Sequence, residues 1–92
     1  MTTYPPFEFS HFDESGQVWK VVILPVDIDS HVQVWEITAQ SEKGDSIRKV
    51  TDVRCDKFSM RLAVQSAKGI IFDYNSAREE YQKIEEVRWN DG

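Results

Sequence analysis

The chain has 92 residues, enough for one hydrophobic core and too few for a second, and its 40% hydrophobic content excludes the composition of a disordered tail. Sixteen acidic and eleven basic residues give a net charge of −5, which argues against the basic surface of a dedicated nucleic-acid binder. The single cysteine, Cys55, excludes an intramolecular disulfide and favours a reducing cytoplasm as the location.

The first twelve residues are predicted to form an extended arm. They contain no basic region followed by an apolar block, so no signal peptide is expected. No membrane span is expected either, because the longest apolar run in the chain is the four residues 21–24. Pro5 and Pro6 bias the residues before them away from helix. Phe7 and Phe9 alternate as in a short edge strand, and the alternation breaks at Phe12. We expect the arm either to cover the core or to offer these aromatic side chains to a partner.

Three segments in the middle of the chain are predicted to be strands of an antiparallel meander. Residues 17–24 are rich in β-branched side chains on both faces, and Pro25 is expected to end this strand. Residues 31–40 alternate, and a polar loop at 41–45 connects them to a third strand at 46–53. The second strand places three apolar residues on one face: Trp35, Ile37 and Ala39.

Residues 57–74 are predicted to form a β-hairpin, with a turn at 66–69 and a second strand at 70–74. The first half of the segment has strand periodicity because its large apolar residues take every second place. These residues are expected to be buried together on one face of the sheet: Phe58, Met60, Leu62 and Val64.

A helix is the alternative for residues 57–68, because Asp56 suits its N-cap and Gly69 suits the position after its end. On a helix, however, Phe58 and Leu62 lie opposite the other apolar residues and are left in water. Burying a large apolar side chain contributes roughly 1.5–3 kcal/mol. Helix propensities differ by only a few tenths of a kcal/mol per residue. The sequence therefore favours the strand.

A helix is predicted at residues 76–89, because Ser76 and Glu79 have the spacing of a capping box. Its apolar residues recur at helical spacing and are expected to pack on the sheet: Ala77, Tyr81, Ile84 and Val87. The predicted fold class is therefore α+β, an antiparallel meander of about five strands with one C-terminal helix on the sheet. Residues 1–92 are expected to be a single domain, with an arm at 1–12, strands within 17–74 and the helix at 76–89.

The sequence offers little catalytic chemistry. His11, His31 and Cys55 are not at the spacing of metal ligands, and the four glycines are isolated, so no phosphate-binding loop is expected. We therefore expect no enzyme activity, no cofactor, no metal and no small-molecule substrate.

Charge is distributed unevenly along the chain and is the main indication of a binding surface. Residues 48–68 carry six basic and two acidic side chains, between segments of net charge −6 and −3. The six basic residues are the predicted partner-binding residues: Arg48, Lys49, Arg54, Lys57, Arg61 and Lys68. A solvated sheet face that keeps the edge from pairing with other chains is the alternative. Secondary candidates are aromatic residues of the arm and the helix end: Phe7, Phe9, Phe12 and Trp89.

Three classes of function fit these patterns. The first is a small non-enzymatic binding protein, an inhibitor or adaptor that docks on a protein or ribonucleoprotein partner. Acidic domains of this size are frequent among phage and bacterial inhibitors, including immunity and anti-CRISPR proteins that act on nucleases. The second is a nucleic-acid-binding domain that contacts RNA through the basic residues of 48–68. The third is a structural subunit of a larger assembly.

Overall fold

The computed structural model describes the backbone of residues 4–90 and the side chains of residues 4–79. Four strands precede one long helix: β1 (Phe7–Phe12), β2 (Val18–Asp29), β3 (Val32–Ser41), β4 (Ser46–Arg54) and α1 (Met60–Asn90). The strands form one antiparallel sheet in the order β1-β2-β3-β4, and α1 packs on one face of it. The α+β class is confirmed, with four strands in place of about five.

The buried face predicted for the second strand is buried in β3, and two residues on the opposite face, Val34 and Glu36, are buried as well. β2 and β3 direct their largest side chains to the same face of the sheet, where Trp19 and Trp35 are fully buried. Helix α1 covers this face with Ala63, Ala67 and Ile71, which are also fully buried. The remaining core residues on the strands are Val21, Ile23, Ile37 and Ala39.

The prediction that the second strand ends at Pro25 is wrong, because β2 continues through Pro25 to Asp29. Pro25 pairs with Trp35 of β3, whereas the pairing of β2 with β1 ends at Ile23. Beyond Ile23, β2 no longer has to donate hydrogen bonds on its β1 side. A residue without an N–H is tolerated there, as on an edge strand.

The predicted arm contains strand β1, which pairs with β2 along its whole length from Phe7 to Phe12. The turn that follows is organised by Asp13, a buried carboxylate. Its oxygens accept hydrogen bonds from the Ser15 and Gln17 backbone N–H groups, both at 2.9 Å, and from Trp19 Nε1 and Asn75 Nδ2, also at 2.9 Å. Asp13 therefore connects the β1–β2 turn to the core and to the helix.

The loop between β3 and β4 is connected to the helix in the same way. Asp45 accepts a hydrogen bond from the Tyr74 hydroxyl at 3.2 Å and a charged one from Arg78 Nη1 at 2.6 Å. Gly44 has a φ of 96°, which favours glycine over residues with a side chain. Both loops at this end of the sheet thus hold the middle of α1.

The β-hairpin predicted for residues 57–74 is wrong, because α1 begins at Met60 and continues without a break. The alternative is right that this segment is helical, but α1 begins at Met60 and continues through Gly69, which was expected to follow its end. Asp56 Oδ1 accepts a hydrogen bond from the Phe58 N–H at 2.7 Å in the turn before the helix. Ser59 Oγ also accepts hydrogen bonds from the Asp56 N–H at 3.0 Å and from the buried Trp35 Nε1 at 2.7 Å. A contact with the distant Trp35 therefore fixes where the helix starts.

The capping role predicted for Ser76 is also wrong, because Ser76 lies inside α1, well after its first turn. Ala77 is exposed and does not pack on the sheet as predicted. The other predicted packing residues lie outside the described side chains: Tyr81, Ile84 and Val87.

Candidate partner-binding surfaces

The outward face of α1 carries the most exposed large apolar side chains of the helix region. Phe58 is 76% exposed, Leu62 53% and Phe72 54%. Leu62, Gly69 and Phe72 fall within about 80° of the helix circumference at 100° per residue. Phe58 lies in the turn before α1. We call Phe58, Leu62 and Phe72 the outer ridge. It lies opposite the buried face formed by Ala63, Ala67 and Ile71.

Three of the predicted basic residues border the outer ridge. Arg61 and Lys68 are seven residues apart, which is about two turns of α1, so they lie on the same side of the ridge. The Lys57 Nζ lies 5.2 Å from the centre of the Phe58 ring, within range of a cation–π interaction. All three side chains are exposed, and none forms a salt bridge within residues 4–79. We call Lys57, Arg61 and Lys68 the cationic flank.

The other three basic residues of the predicted surface lie on β4, away from the cationic flank. Arg48 and Arg54 are opposite Thr38 and Val34, whose side chains face away from α1. Lys49 is opposite Ile37 and therefore faces the helix side of the sheet. The predicted continuous surface of six basic residues is thus divided among the helix, the open face of the sheet and the space between β4 and α1.

The open face of the sheet, on the side away from α1, combines apolar and charged residues. Glu36 is buried there and accepts a hydrogen bond from Arg48 Nη2 at 3.1 Å. This hydrogen bond and the Glu36 charge raise the pKa of Arg48 above its usual range. Apolar neighbours in adjacent register surround the pair: Leu24, Val34 and Val50. Arg48 thus forms an ion pair with Glu36, whereas the residues of the cationic flank form no salt bridge within residues 4–79.

The aromatic residues of β1 are divided between the two faces of the sheet. Phe9 packs against the core, and its ring lies 5.7 Å from that of Phe7, which is partly exposed. Phe12 faces the other side and is largely exposed. Trp89, the remaining secondary candidate, has a side chain outside the described residues. The arm therefore offers single exposed rings and no continuous aromatic surface.

The reactive side chains singled out from the sequence are dispersed. His11 is half-buried in β1, and His31 is exposed in the turn between β2 and β3. Cys55 is half-buried, and burial together with the Asp56 charge raises the pKa of its thiol. The described part of the chain holds no group of three or more His, Cys, Asp or Glu side chains placed to bind a metal ion.

Sequence reasoning missed the outer ridge because it treated exposure of Phe58 and Leu62 as a reason to reject the helix. The signal was present in the alternative, where both residues fall on the side opposite Met60, Ala63 and Ala67. Within residues 4–90, α1 is too polar to cross a membrane. Comparison of the chain with protein-family models, curated proteins and solved structures gives no match.

Proposed function

We propose that this chain is a small non-enzymatic binding protein, an inhibitor or adaptor that docks on a protein partner through the outward face of α1. The observation that carries the proposal is the outer ridge, in which Phe58, Leu62 and Phe72 are each more than half exposed. Leu62 and Phe72 are about 15 Å apart along the helix axis, so the ridge consists of separated apolar side chains with polar residues between them. Exposed large apolar side chains bordered by polar groups occur at protein interaction sites. Phe58, Leu62 and Phe72 supply large apolar contact area without opening the core.

The proposed partner has an apolar groove with an acidic rim. The outer ridge would occupy the groove, because burial of such side chains is the main source of affinity at an interface centre. The cationic flank would meet the acidic rim, which favours rapid and selective association. The flank is available for such contacts because Lys57, Arg61 and Lys68 are exposed.

A second copy of this chain suits the outer ridge less well than a different protein does. In a twofold-symmetric pair each surface patch meets the same patch of the other copy. In an antiparallel twofold pair of helices both cationic flanks lie at one edge of the contact, and like charges placed together there oppose association. In a parallel pair the flanks lie at opposite edges. An acidic partner surface complements the flank in either case.

A ribonucleoprotein partner is compatible with this proposal, with the protein component binding the outer ridge and RNA lying near the cationic flank. RNA binding as the main function is less well supported, because the six basic residues lie on three surfaces. A phage or bacterial inhibitor, such as an anti-CRISPR or immunity protein, fits the size and acidic charge. A cytoplasmic location, suggested by the single cysteine, and a role as a structural subunit are also retained as proposals.

Capture from native host lysate with variants of the immobilised chain tests the proposal. Leu62→Asp and Phe72→Asp place a charge in the outer ridge and are expected to abolish capture of the partner. Ile28→Asp is the matched control, because Ile28 is 60% exposed on β2 and does not belong to the core cluster that α1 covers. It is expected to capture the partner normally. A partner retained by both ridge variants, or lost equally in the Ile28 variant, would contradict the proposal.

Nuclease treatment of the same lysate separates the partner classes. Capture that survives nuclease supports a protein contact. Capture that is lost on nuclease treatment supports contact through RNA and would contradict a protein-only partner.

A further inference from the structure

The outer edge of β4 is a second candidate contact surface, separate from the outer ridge. β4 ends the sheet, and no strand pairs with its other side within the described part of the chain. A groove of about 460 Å³ lies between this edge and α1. Its helix side includes Gly69, where an added Cβ would meet no atom within 4 Å. The helix therefore leaves the edge of β4 open to another strand.

The even-numbered residues of β4 direct their backbone hydrogen-bonding groups towards this open side. At one end of the ladder the Ser41 N–H donates to the Asp45 carbonyl at 2.9 Å, and at the other end the Cys55 N–H donates to the Gln33 carbonyl, also at 2.9 Å. In an antiparallel pair, residues that exchange such bonds alternate with residues that do not. Odd-numbered residues of β4 therefore bond towards β3 at both ends of the strand, and even-numbered residues face outwards.

A bulge in the pairing of β3 with β4 does not disturb this alternation. Trp35 lies opposite residues 51–53, because its two neighbours in β3 pair with Val50 and Arg54. The Thr51 hydroxyl donates to the Trp35 carbonyl at 2.9 Å within the bulge. β4 has two more residues than β3 here, which is an even number, and its even-numbered residues are exposed on both sides of the bulge. The outward edge thus keeps one phase along the strand.

The charges of β4 are complementary to those of a second β4 strand in one symmetric antiparallel register. With Val50 on the twofold axis, Arg48 of each copy lies opposite Asp52 of the other, and no like charges are opposed. Like charges directly opposite each other destabilise a strand pair. Axes at residues 48, 49, 51 and 52 each oppose like charges, namely Arg48 with Arg48, Lys49 with Lys49, Arg48 with Arg54, and Asp52 with Asp52.

The side chains that would meet in this register are accessible. Arg48 is exposed, and its guanidinium has five N–H donors, so it can bond to Glu36 and to a second carboxylate at once. Asp52 is exposed and forms no salt bridge within residues 4–79. Val50 is 48% exposed and would meet its own counterpart on the axis. The register therefore combines two ion pairs with a central apolar contact.

We propose that two copies of this chain associate through the edges of β4, antiparallel and with Val50 on the twofold axis, to form one continuous sheet of eight strands. A twofold contact requires a surface that complements itself, and β4 does so in this register. Charged edge residues and bulges keep sheet edges from pairing with arbitrary strands. Here the charges restrict the edge to one partner and one register, because shifted copies oppose like charges.

Sedimentation equilibrium of the full chain between about 1 μM and 1 mM tests the association. We expect the apparent mass to rise with concentration to twice that of the monomer. Asp52→Arg converts both ion pairs into like-charge pairs and should weaken the dimer at least about tenfold. A wild type that stays monomeric would overturn the proposal and leave the edge to solvent or a foreign strand. A dimer of equal strength in the Asp52 variant would also overturn it.

A charge exchange between copies identifies the register. Arg48→Asp alone should weaken the dimer as Asp52→Arg does. An equal mixture of the two variants should associate about as tightly as the wild type, because the mixed pair has opposite charges at both ends. Two folded variants that fail to associate when mixed would overturn the proposal. Circular dichroism checks the fold, since Arg48→Asp also removes the ion pair with Glu36.

A disulfide cross-link decides the question if Arg48→Asp does not fold. Residues opposite each other in a hydrogen-bonded antiparallel pair have Cα atoms about 5.5 Å apart, a separation that a disulfide spans. Val50→Cys in a Cys55→Ser background should therefore form an interchain disulfide on mild oxidation. Ile28→Cys in the same background is the control, because Ile28 is 60% exposed on β2. Equally fast cross-linking at both positions would overturn the proposal.

Phe72→Asp separates this contact from the proposed function. It is expected to lose the partner at the outer ridge and to keep the dimer, because Phe72 does not line the groove beside β4. Loss of the dimer in this variant would show that the copies associate through the outer ridge and would overturn the β4 proposal alone.

Discussion

The two faces of α1 reverse the usual relation between side-chain size and burial. Among the side chains described up to residue 79, the inner face buries Ala63 and Ala67 completely and has Ile71 as its only fully buried large residue. The outer face exposes Phe58 and the other large residues of the outer ridge to solvent. Small residues suit the inner face because Trp19 and Trp35 already fill the core beneath it. The difference indicates that the inner face holds the fold together, whereas the outer ridge contributes little to it.

The largest loss of stability is expected for a change at Ile71, the large buried residue of the inner face. Ile71→Ala should lower the free energy of unfolding by about 2–5 kcal/mol, because it leaves a cavity in the core. Leu62→Ala, the matched change on the outer face, should alter it by less than about 0.5 kcal/mol. Urea denaturation of both variants measures the difference. Equal losses in the free energy of unfolding would show that the inner and outer faces of α1 contribute equally to stability.

The second-largest loss in the free energy of unfolding is expected at Ser59, immediately before the first residue of α1. Ser59→Ala removes the hydroxyl that accepts from Trp35 Nε1 and the Asp56 N–H, and it should cost about 1–3 kcal/mol because a buried donor is left unpaired. Ser76→Ala is the control inside the same helix and should be neutral or slightly stabilising, since Ala is the better helix former. If the Ser76 variant were the less stable of the two, Ser59 would not fix the helix start.

A pH titration tests the contact of the β1–β2 turn with α1. Burial raises the pKa of Asp13, but hydrogen bonds from Ser15, Trp19, Asn75 and Gln17 outweigh it and hold the pKa well below its usual range. A carboxyl with a lowered folded-state pKa stabilises the fold above its unfolded pKa of about 3.9. This contribution is progressively lost as the pH falls below that value.

Thermal unfolding between neutral and acidic pH measures the effect. Asp13→Asn, which has no charge to lose, should be less stable at neutral pH and should show a weaker decline in acid. If the wild type and the Asp13→Asn variant lost the same amount of stability in acid, a group other than Asp13 would cause the loss.

The smallest effect on stability is expected for the cationic flank. Lys57→Glu combined with Arg61→Glu should change the free energy of unfolding by less than about 0.5 kcal/mol, because both side chains are exposed. Partner binding should nevertheless be lost. A single-stranded RNA contact would add a steep salt dependence, with a log–log slope near −0.7 per phosphate. Unchanged binding in the double variant would show that the flank is only a solvated surface.

The sheet was largely predictable from the sequence, and the first half of the helix was not. In β3, the alternation of Trp35, Ile37 and Ala39 determines which face is buried, because strand side chains alternate by geometry. In residues 57–68 the same alternation was misleading. The deciding contact is the hydrogen bond from Trp35 to Ser59, which joins residues 24 positions apart and leaves no local pattern.

The candidate site was predictable in part. Lys57 and Arg61 were expected on one side of a strand; instead Lys57 lies in the turn before α1 and Arg61 lies in the first turn of the helix. Their separation from Arg48 and Arg54 follows from the register of β4 on β3, which charge counting along the sequence does not contain. The outer ridge was hidden by the assumption that large apolar residues are buried within the same chain.

Stability and partner binding measured together for Leu62→Ser separate a binding role of the outer ridge from a structural one. We expect the free energy of unfolding in urea to change by less than about 0.5 kcal/mol, because Leu62 is more than half exposed, and we expect capture of the partner to be lost. A variant that is destabilised by about 2 kcal/mol or more and still captures the partner would contradict this expectation. The outer ridge would then belong to the core, and the binding surface would lie elsewhere on the molecule.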